Sequence, residues 1–472
     1  MQQTGGIVGD ALMNMTTASA HAEFSRGYRV WLMCVLVMIN AINLADRQGM
    51  AITAPAIKHD LVLSDTQLGI LQGLGFAIFF SLLALPIARL AEHRNRTRIV
   101  ALSVAVLGAM LACCGLSRNF WQFLLFRIGV GTGDAGFGPP VASLIGDHYP
   151  ADKRASANTI IWLGAPLGAV AGSVVGGIVA QGFGWRVWFF ALGAPALLLA
   201  LAAFLTLRDP PRGMADGTRH EGPPPAMTAV IGFLWSKKSF RQVLIGAGLA
   251  ATAMNALGQF FARFFVSNFH MGLAEAGGIM GAMAGVAMTG GLLLGGFGMD
   301  FLGRRDRRWY VWGPAIALAI SAPLFVVGMM QSSVAAVVAF LLLAHVSLFV
   351  YWTPTLAVAM NMVGANMRAS SAFVTNIVLG LVGIGLGPTL VGVLSDVFAK
   401  RTFAPGAFAA SCPGGAAPPG SAHALSEACA GASAMGVRDA IIAMSLLFAW
   451  AGIHYFLAGR NLEQDLDRQY MG

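Results

Sequence analysis

The chain has 472 residues, 57% of them hydrophobic and only 11% charged. A soluble domain carries about 25% charged residues, so a water-covered globule of this size is excluded and most of the chain belongs in lipid. The net charge of +9 is spread in short clusters between apolar runs, which argues against nucleic-acid binding and for loops at a membrane face.

Residues 1–28 read as a cytoplasmic N-terminal segment, with no basic leader, apolar core and cleavage site. No secretory signal peptide is therefore expected, and the first span should target itself to the membrane. Met13 and Met15 are possible alternative starts. Apolar runs of about 20 residues cross a bilayer as helices. They are predicted at 29–54, 66–91, 97–117, 121–146, 154–181, 186–207, 241–268, 272–299, 308–330, 334–363, 367–394 and 437–459. Trp31, Trp121, Trp185, Trp188, Trp235 and Trp309 fall near run ends, where amphipathic rings favour the interface.

Every even link between these runs is basic: Arg94, Arg96 and Arg98; Lys153 and Arg154; Arg208 through Lys238; Arg304 to Arg308; Arg368. The odd links hold single residues such as Lys58, Arg118 and Arg186. The positive-inside rule then puts both termini in the cytoplasm. A Pro-rich connector, 208–240, divides an N-terminal six-helix bundle (29–207) from a C-terminal one (241–459), and 460–472 forms a cytoplasmic tail. The eleventh link, 395–436, must face outward, and it holds Cys412 and Cys429. Outside the cytoplasm these are either two separate thiols or a disulfide, and closure of so flexible a loop favours the disulfide. Cys34, Cys113 and Cys114 lie in apolar runs and read as small packing residues.

Ionisable residues inside spans are costly and therefore candidates for function. Asp46 and Arg47 lie deep in the first run, with Asn43 and Met50 at helical spacing from them. Arg127 and Asp134 in the fourth are seven residues apart and share a face. We expect the four to form one charge-neutral network, which lowers the cost of keeping each ionised. A carboxylate there would change its proton affinity as neighbouring arginines move, and a substrate anion could bind Arg47 or Arg127 in its place. Structural ion pairing is the alternative. In the seventh run Asn255, Gln259 and Arg263 follow at four-residue steps beside Phe260, Phe261, Phe264 and Phe265. This reads either as a polar stripe with aromatic walls for an amphipathic ligand, or as helix contacts with phenylalanines facing lipid. His345, Asn361 and Asn376 are weaker candidates, and His345 reads first as a packing histidine. The glycines and prolines of the fourth, fifth and eleventh runs suit close packing and hinges alike.

The two halves repeat one pattern. Ala88, Glu92 and Arg96 in the second link match Gly296, Asp300 and Arg304 in the eighth, in spacing and in position. The eighth link resembles the major facilitator signature Gly-x-x-x-Asp-x-x-Gly-Arg-Arg, and the second is an eroded copy with Asn95 in the glycine position. Arg127 to Gly133 resembles a second signature, Arg-x-x-x-Gly-x-Gly, and Gly164-Ala-Pro166-Leu-Gly168 partly matches an antiporter motif. The likeness covers nearly the whole chain. Asn43-Leu-Ala-Asp46-Arg47, Pro86-Ile87-Ala88 and Gly131-Thr-Gly133-Asp134-Ala135 look like the spinster-type branch, in which a Glu usually stands where Asp134 does.

The resemblance implies an all-α membrane protein, the major facilitator fold of 12 transmembrane helices in two six-helix bundles, working by alternating access. It implies that the first and fourth helices line a central cavity, and that Glu92, Arg96, Asp300 and Arg304 latch the outward-facing state. Animal members of the branch are associated with export of sphingosine phosphate or lysophospholipids, which implies an amphipathic substrate gripped by Asn43, Arg47, Arg127, Asn255, Gln259 and Arg263. An organic-anion symporter or drug exporter is the alternative. No phosphate-binding loop is evident, so uphill movement should draw on an ion gradient, most simply protons. We expect no cofactor and no metal, a monomer in the bilayer, and a bacterial inner-membrane location suited to the short loops. A membrane enzyme is the remoster rival, since the histidines are scattered and the acid–arginine set lies in mid-membrane; a channel or receptor leaves the internal duplication unexplained.

Overall fold

The computed structural model describes residues 25–149, 157, 160–210, 227–363, 367–403 and 407–467. Among them, eleven helices are long and apolar enough to span a membrane. We number the spans α1 (Arg26–Asp60), α2 (Asp65–Ala91), α3 (Arg96–Leu116), α5 (Ile160–Phe183) and α6 (Trp185–Thr206) in the first half. The second half holds α7 (Lys238–Phe269), α8 (Leu273–Gly303), α9 (Trp309–Met329), α10 (Val334–Asn361), α11 (Val374–Thr402) and α12 (His423–Ala458). The fourth span, α4, is two pieces, Phe120–Ala135 and Gly138–His148, of 16 and 11 residues. Neither piece alone reaches the about 20 residues a span requires. The interruption falls at Gly136 and Phe137, just before Pro139 and Pro140. Both prolines occupy the first turn of the second piece, where their missing N–H groups leave no bond unmade.

Each six-helix bundle has its own core. Leu36, Val104, Phe123, Leu144 and Phe189 belong to the first. Phe240, Phe260, Phe325, Leu341 and Phe448 belong to the second. Outside the cores, large apolar side chains such as Leu102, Leu198, Phe297 and Leu446 stand exposed on the helix surfaces, as a lipid solvent allows.

The structure redraws several expected boundaries. α11 runs on to Thr402 and α12 begins at His423, so the expected loop 395–436 shrinks to 403–422. The stretch after His423 is rich in alanine, the best helix former, and its small residues signal helix here instead of loop. The connector contains a helix, Met227–Ser236, and the tail a short one, Leu462–Asp467. Residues 1–24, 150–156, 211–226 and 468–472, which include Lys153, Arg154 and most of the Pro-rich connector, lie outside the described residues.

The bundles meet along two glycine seams. Between α2 and α11, a Cβ on Gly69 would lie 2.2 Å from the Pro388 carbonyl oxygen, and one on Gly392 2.2 Å from that of Asp65. Between α5 and α8, a Cβ on Gly277 would lie 2.2 Å from the Ser173 carbonyl oxygen. Only a missing side chain permits this approach. All of these positions lie toward the end of the molecule that carries the odd links, which we call the sealed end. At the opposite, basic end, several polar groups among the described residues bond within their own bundle. The Arg208 N–H donates to Tyr28 Oη at 2.7 Å, Lys237 Nζ donates to the Asp465 carbonyl at 3.1 Å, and Arg308 pairs with Glu463 at 2.9 Å.

Packing within a bundle is equally tight: a Cβ on Gly168 of α5 would stand 2.1 Å from the Ala41 carbonyl oxygen of α1. Gly168→Val is expected to destabilise the protein by about 1–3 kcal/mol. Gly182→Ala, with nothing within 4 Å, should leave stability nearly unchanged. Unfolding temperatures of the two variants in detergent check the contrast.

Candidate functional site

Asp46 and Arg47 are neighbours on α1, so they point about 100° apart around the helix. Each takes a different partner from α4. Arg127 Nη1 donates to both Asp46 carboxylate oxygens, each at 2.9 Å, and both side chains are only 2% exposed. Arg47 Nη2 donates to Asp134 Oδ2 at 2.5 Å, with the arginine 25% and the acid 8% exposed. The result is a sealed pair beside a partly open one. The Phe76 ring of α2 joins them, its centroid 4.8 Å from the Arg47 guanidinium and 5.7 Å from that of Arg127. Phe80 stacks on Phe76 at 5.5 Å and lies 5.7 Å from Arg47. Away from water such cation–π contacts are worth about 2 kcal/mol or more.

The glycines of the Arg127 motif explain the arrangement. A Cβ on Gly131 would meet the Phe76 carbonyl oxygen at 2.5 Å, and one on Gly133 would meet the Leu107 nitrogen at 2.6 Å. Gly131 thus lets α2 bring Phe76 under both arginines, and Gly133 seats α4 on α3. Asn43, one turn before Asp46, is buried. Among the described residues its Oδ1 has no hydrogen-bond partner, nor do the Nε atoms of Arg47 and Arg127. Buried polar atoms normally have partners, so this region keeps hydrogen-bonding capacity for a ligand.

The second bundle departs from expectation. Phe260, Phe261, Phe264 and Phe265 are at most 3% exposed; they are core, forming neither ligand walls nor a lipid face. Phe261 packs on Phe325 and His345, and His345 Nδ1 lies 2.7 Å from the Leu341 carbonyl. Its ring is a packing element. Asn255 and Gln259 remain half-buried; Asn255 Nδ2 donates to its own helix at Ala251 O, 2.8 Å, and among the described residues Gln259 Oε1 is without a partner. Asn361 and Asn376 are exposed. Arg263 leaves the expected substrate set altogether. Its Nη2 donates to Ser433 Oγ at 2.7 Å, and its Nε lies 2.9 Å from Asp65 Oδ1.

A family model described as Major Facilitator Superfamily matches residues 36–388. The chain belongs to the major facilitator superfamily. An "MFS-type efflux pump" of Mycolicibacterium smegmatis is 30% identical over 385 residues, 80% of this chain and 87% of that protein. "Protein spinster homolog 3" of Danio rerio is 27% identical over 387 residues, covering 78% and 76%. The crystal structure of a bacterial homologue of the human lysosomal transporter spinster, inward-facing and unoccupied, matches with a TM-score of 0.82 at 29% identity, covering 94% of this chain and 99% of that one. The chain is a spinster-like, multi-pass integral membrane transporter of this superfamily, with the family's fold.

Within that fold, Asp300 has a partner among the described residues in its own bundle. Tyr310 Oη donates to Asp300 Oδ1 at 2.7 Å, both in the second bundle. Arg304 lies in the loop pocket with Arg305, Asp306 and Glu463. Arg96 is held inside its own bundle. It is 1% exposed, pairs with Asp147 and with Asp209, and donates to the Pro210 carbonyl at 2.6 Å. It anchors the start of the connector inside its own bundle. The Glu92 side chain lies outside the described residues.

What does cross between bundles is an ion cluster at the sealed end that the sequence reading missed. Lys58 Nζ donates to Asp65 Oδ1 at 2.6 Å, Ser395 Oγ donates to Asp65 Oδ2 at 2.7 Å, and Arg263 completes the pairing. Asp396 of α11 accepts from the Asp65 and Thr66 N–H groups at 3.1 and 2.8 Å, capping α2 from the other bundle. One signal was legible: Ser64 and Gln67 form a capping box, which marks a helix start with an acid, Asp65, in its first turn.

Arg127→Ala would leave Asp46 buried and unpaired, which typically costs about 3–5 kcal/mol. The double variant Asp46→Ala/Arg127→Ala should recover part of the loss. Thermal unfolding in detergent measures both, and equal stability of single and double variants would deny the coupling.

Proposed function

We propose that this transporter moves an amphipathic, lipid-like substrate, of the class of lysophospholipids or sphingoid phosphates, by alternating access coupled to protons. The observation that carries the reading is the inequality of the two ion pairs. Asp46 and Arg127 are sealed together, whereas Arg47 is a quarter exposed and rests on two aromatic rings. An anionic headgroup would meet Arg47 through its planar fork of donors and displace the Asp134 carboxylate. In this reading the displaced Asp134 carboxylate is the group that takes up the coupling proton. Substrate binding and proton uptake are thereby linked at one arginine. The half-buried Asn255 and Gln259 of α7 are the polar contacts from the opposite bundle.

In this reading the basic end is cytoplasmic and holds both termini, the cell is bacterial, and the protein works as a monomer in the inner membrane. The seal at the odd-link end then corresponds to an inward-facing state, in which the Asp300 signature is released. A drug exporter is the second reading, favoured by the similarity to the mycobacterial efflux pump.

The test is ligand binding to purified protein, with lysophospholipid and sphingoid-phosphate panels against wild type, Arg47→Ala and Asp134→Asn. Wild type should bind, and Arg47→Ala should weaken binding by at least about tenfold, about 1.4 kcal/mol. In vesicles the flux should be saturable and should follow an imposed pH gradient, and Asp134→Asn should lose the gradient dependence. Binding of cationic drugs with no lipid binding would select the exporter reading. Conversion of substrate in detergent would indicate an enzyme.

A further inference from the structure

In the link between α11 and α12, Phe408 and Cys412 pack on their own bundle while Gly414 and Gly415 reach the first. Cys412 and Cys429 are joined across a separation of 17 residues and are buried. They sit with Ala399, Phe403, Phe408 and Ala432 in a small apolar cluster apart from both bundle cores. Directly after Cys412 the chain turns through Pro413–Gly415. Gly414 and Gly415 take φ values of +67° and +83°, a region closed to most side chains.

This turn is pressed against the other bundle. A Cβ on Gly414 would lie 3.2 Å from the Val62 backbone, and one on Gly415 would lie 3.0 Å from Lys58 Nζ and 2.9 Å from Ser433 Oγ. Val62, in the α1–α2 link, is itself at φ 50°, a rare conformation for a β-branched residue. Both ends of the disulfide therefore reach the interbundle ion cluster. From Cys412 the path runs through Gly415 to Lys58, which holds Asp65. From Cys429 it runs one helical turn along α12 to Ser433, which accepts from Arg263.

We propose that the Cys412–Cys429 disulfide makes this turn a strap across the seal, and that breaking the bond loosens the sealed end. The reaction needs an external reductant, a phosphine or a dithiol. With a phosphine and water, the S–S bond breaks, each sulfur takes one proton, and the phosphine leaves as its oxide carrying the water oxygen; the sulfurs gain the two electrons phosphorus loses. Once freed, the 412–415 turn no longer has its backbone held against Val62 and Lys58, and the remaining contacts must hold the seal alone. The inference concerns the seal only and stands apart from the choice of substrate.

The test is read without transport. In a background of Cys34→Ala, Cys113→Ala and Cys114→Ala, a Thr389→Cys reporter is placed in the α2–α11 seam, where Thr389 Oγ1 donates to the Gly69 carbonyl at 3.3 Å. Its maleimide labelling rate is followed in lipid nanodiscs. With the disulfide intact the reporter should react slowly; in Cys412→Ser/Cys429→Ser it should react about tenfold faster, as expected when an opening equilibrium shifts. Gly415→Val keeps the bond but displaces the turn, and should also speed labelling. Should the serine pair fail to fold, the phosphine-reduced parent replaces it, with the label at position 389 counted by peptide mass. A bond-free protein that labels at the parental rate overturns the proposal, whatever Gly415→Val does.

Discussion

A charge held in the interior of a membrane protein persists only beside an opposite charge, because removal of either partner strands the other in a low-dielectric site. The N-terminal bundle is organised around that constraint. α1 contributes one acid and one base in succession, α4 contributes one of each two turns apart, and the four pair crosswise. The pairing fixes how α1 and α4 face each other. It also fixes α2, whose Phe76 must reach both guanidiniums, and Gly131 is where α4 yields to let that helix in. Helix contact, ring placement and charge are parts of one solution.

The two ends of the molecule solve the opposite problem, which is to be stable without being permanent. Glycine seams give close van der Waals contact, while the ion cluster supplies direction and register. Asp396 capping α2 from the second bundle is the clearest case. A helix start needs acceptors for its free N–H groups, and here one bundle provides them for the other. At the basic end the corresponding groups are satisfied at home: Asp300 by Tyr310, and Arg96 by Asp147 and Asp209.

The fold was largely legible, since apolar length and the alternation of basic links are one-dimensional signals. The Asp46, Arg47, Arg127 and Asp134 set was legible too, because a charge inside an apolar run announces itself. Arg263 announced itself in the same way and was misassigned. Helical spacing aligns it with Asn255 and Gln259, but spacing does not say where along the molecule a partner waits, and Asp65 waits at the sealed end. The phenylalanines around it misled for a related reason: aromatic residues next to polar ones have the same pattern in a binding wall and in a core. The start of α12 was hidden because alanine, glycine and serine serve loops and close-packed helices alike. Lys58 was read as a link charge, and Asp65 and Asp396 drew no reading, since nothing in the local sequence tells a solvated charge from one pinned beneath a neighbouring bundle.

Position along the molecule also orders the energetics of any movement between the bundles. The sealed-end groups lie beside the links, so water can replace each partner as the seam parts, and the exchange of protein bonds for hydration keeps the free-energy gap small. The Asp46–Arg127 pair has no such replacement and must travel intact with its bundle. Arg47 and Asp134 stand between these limits, paired but partly exposed. A ligand shifts a conformational equilibrium only through its differential affinity for the two states. A modest difference in contact can therefore do so at Arg47 and Asp134, an ion pair neither sealed in the bundle nor open to bulk water.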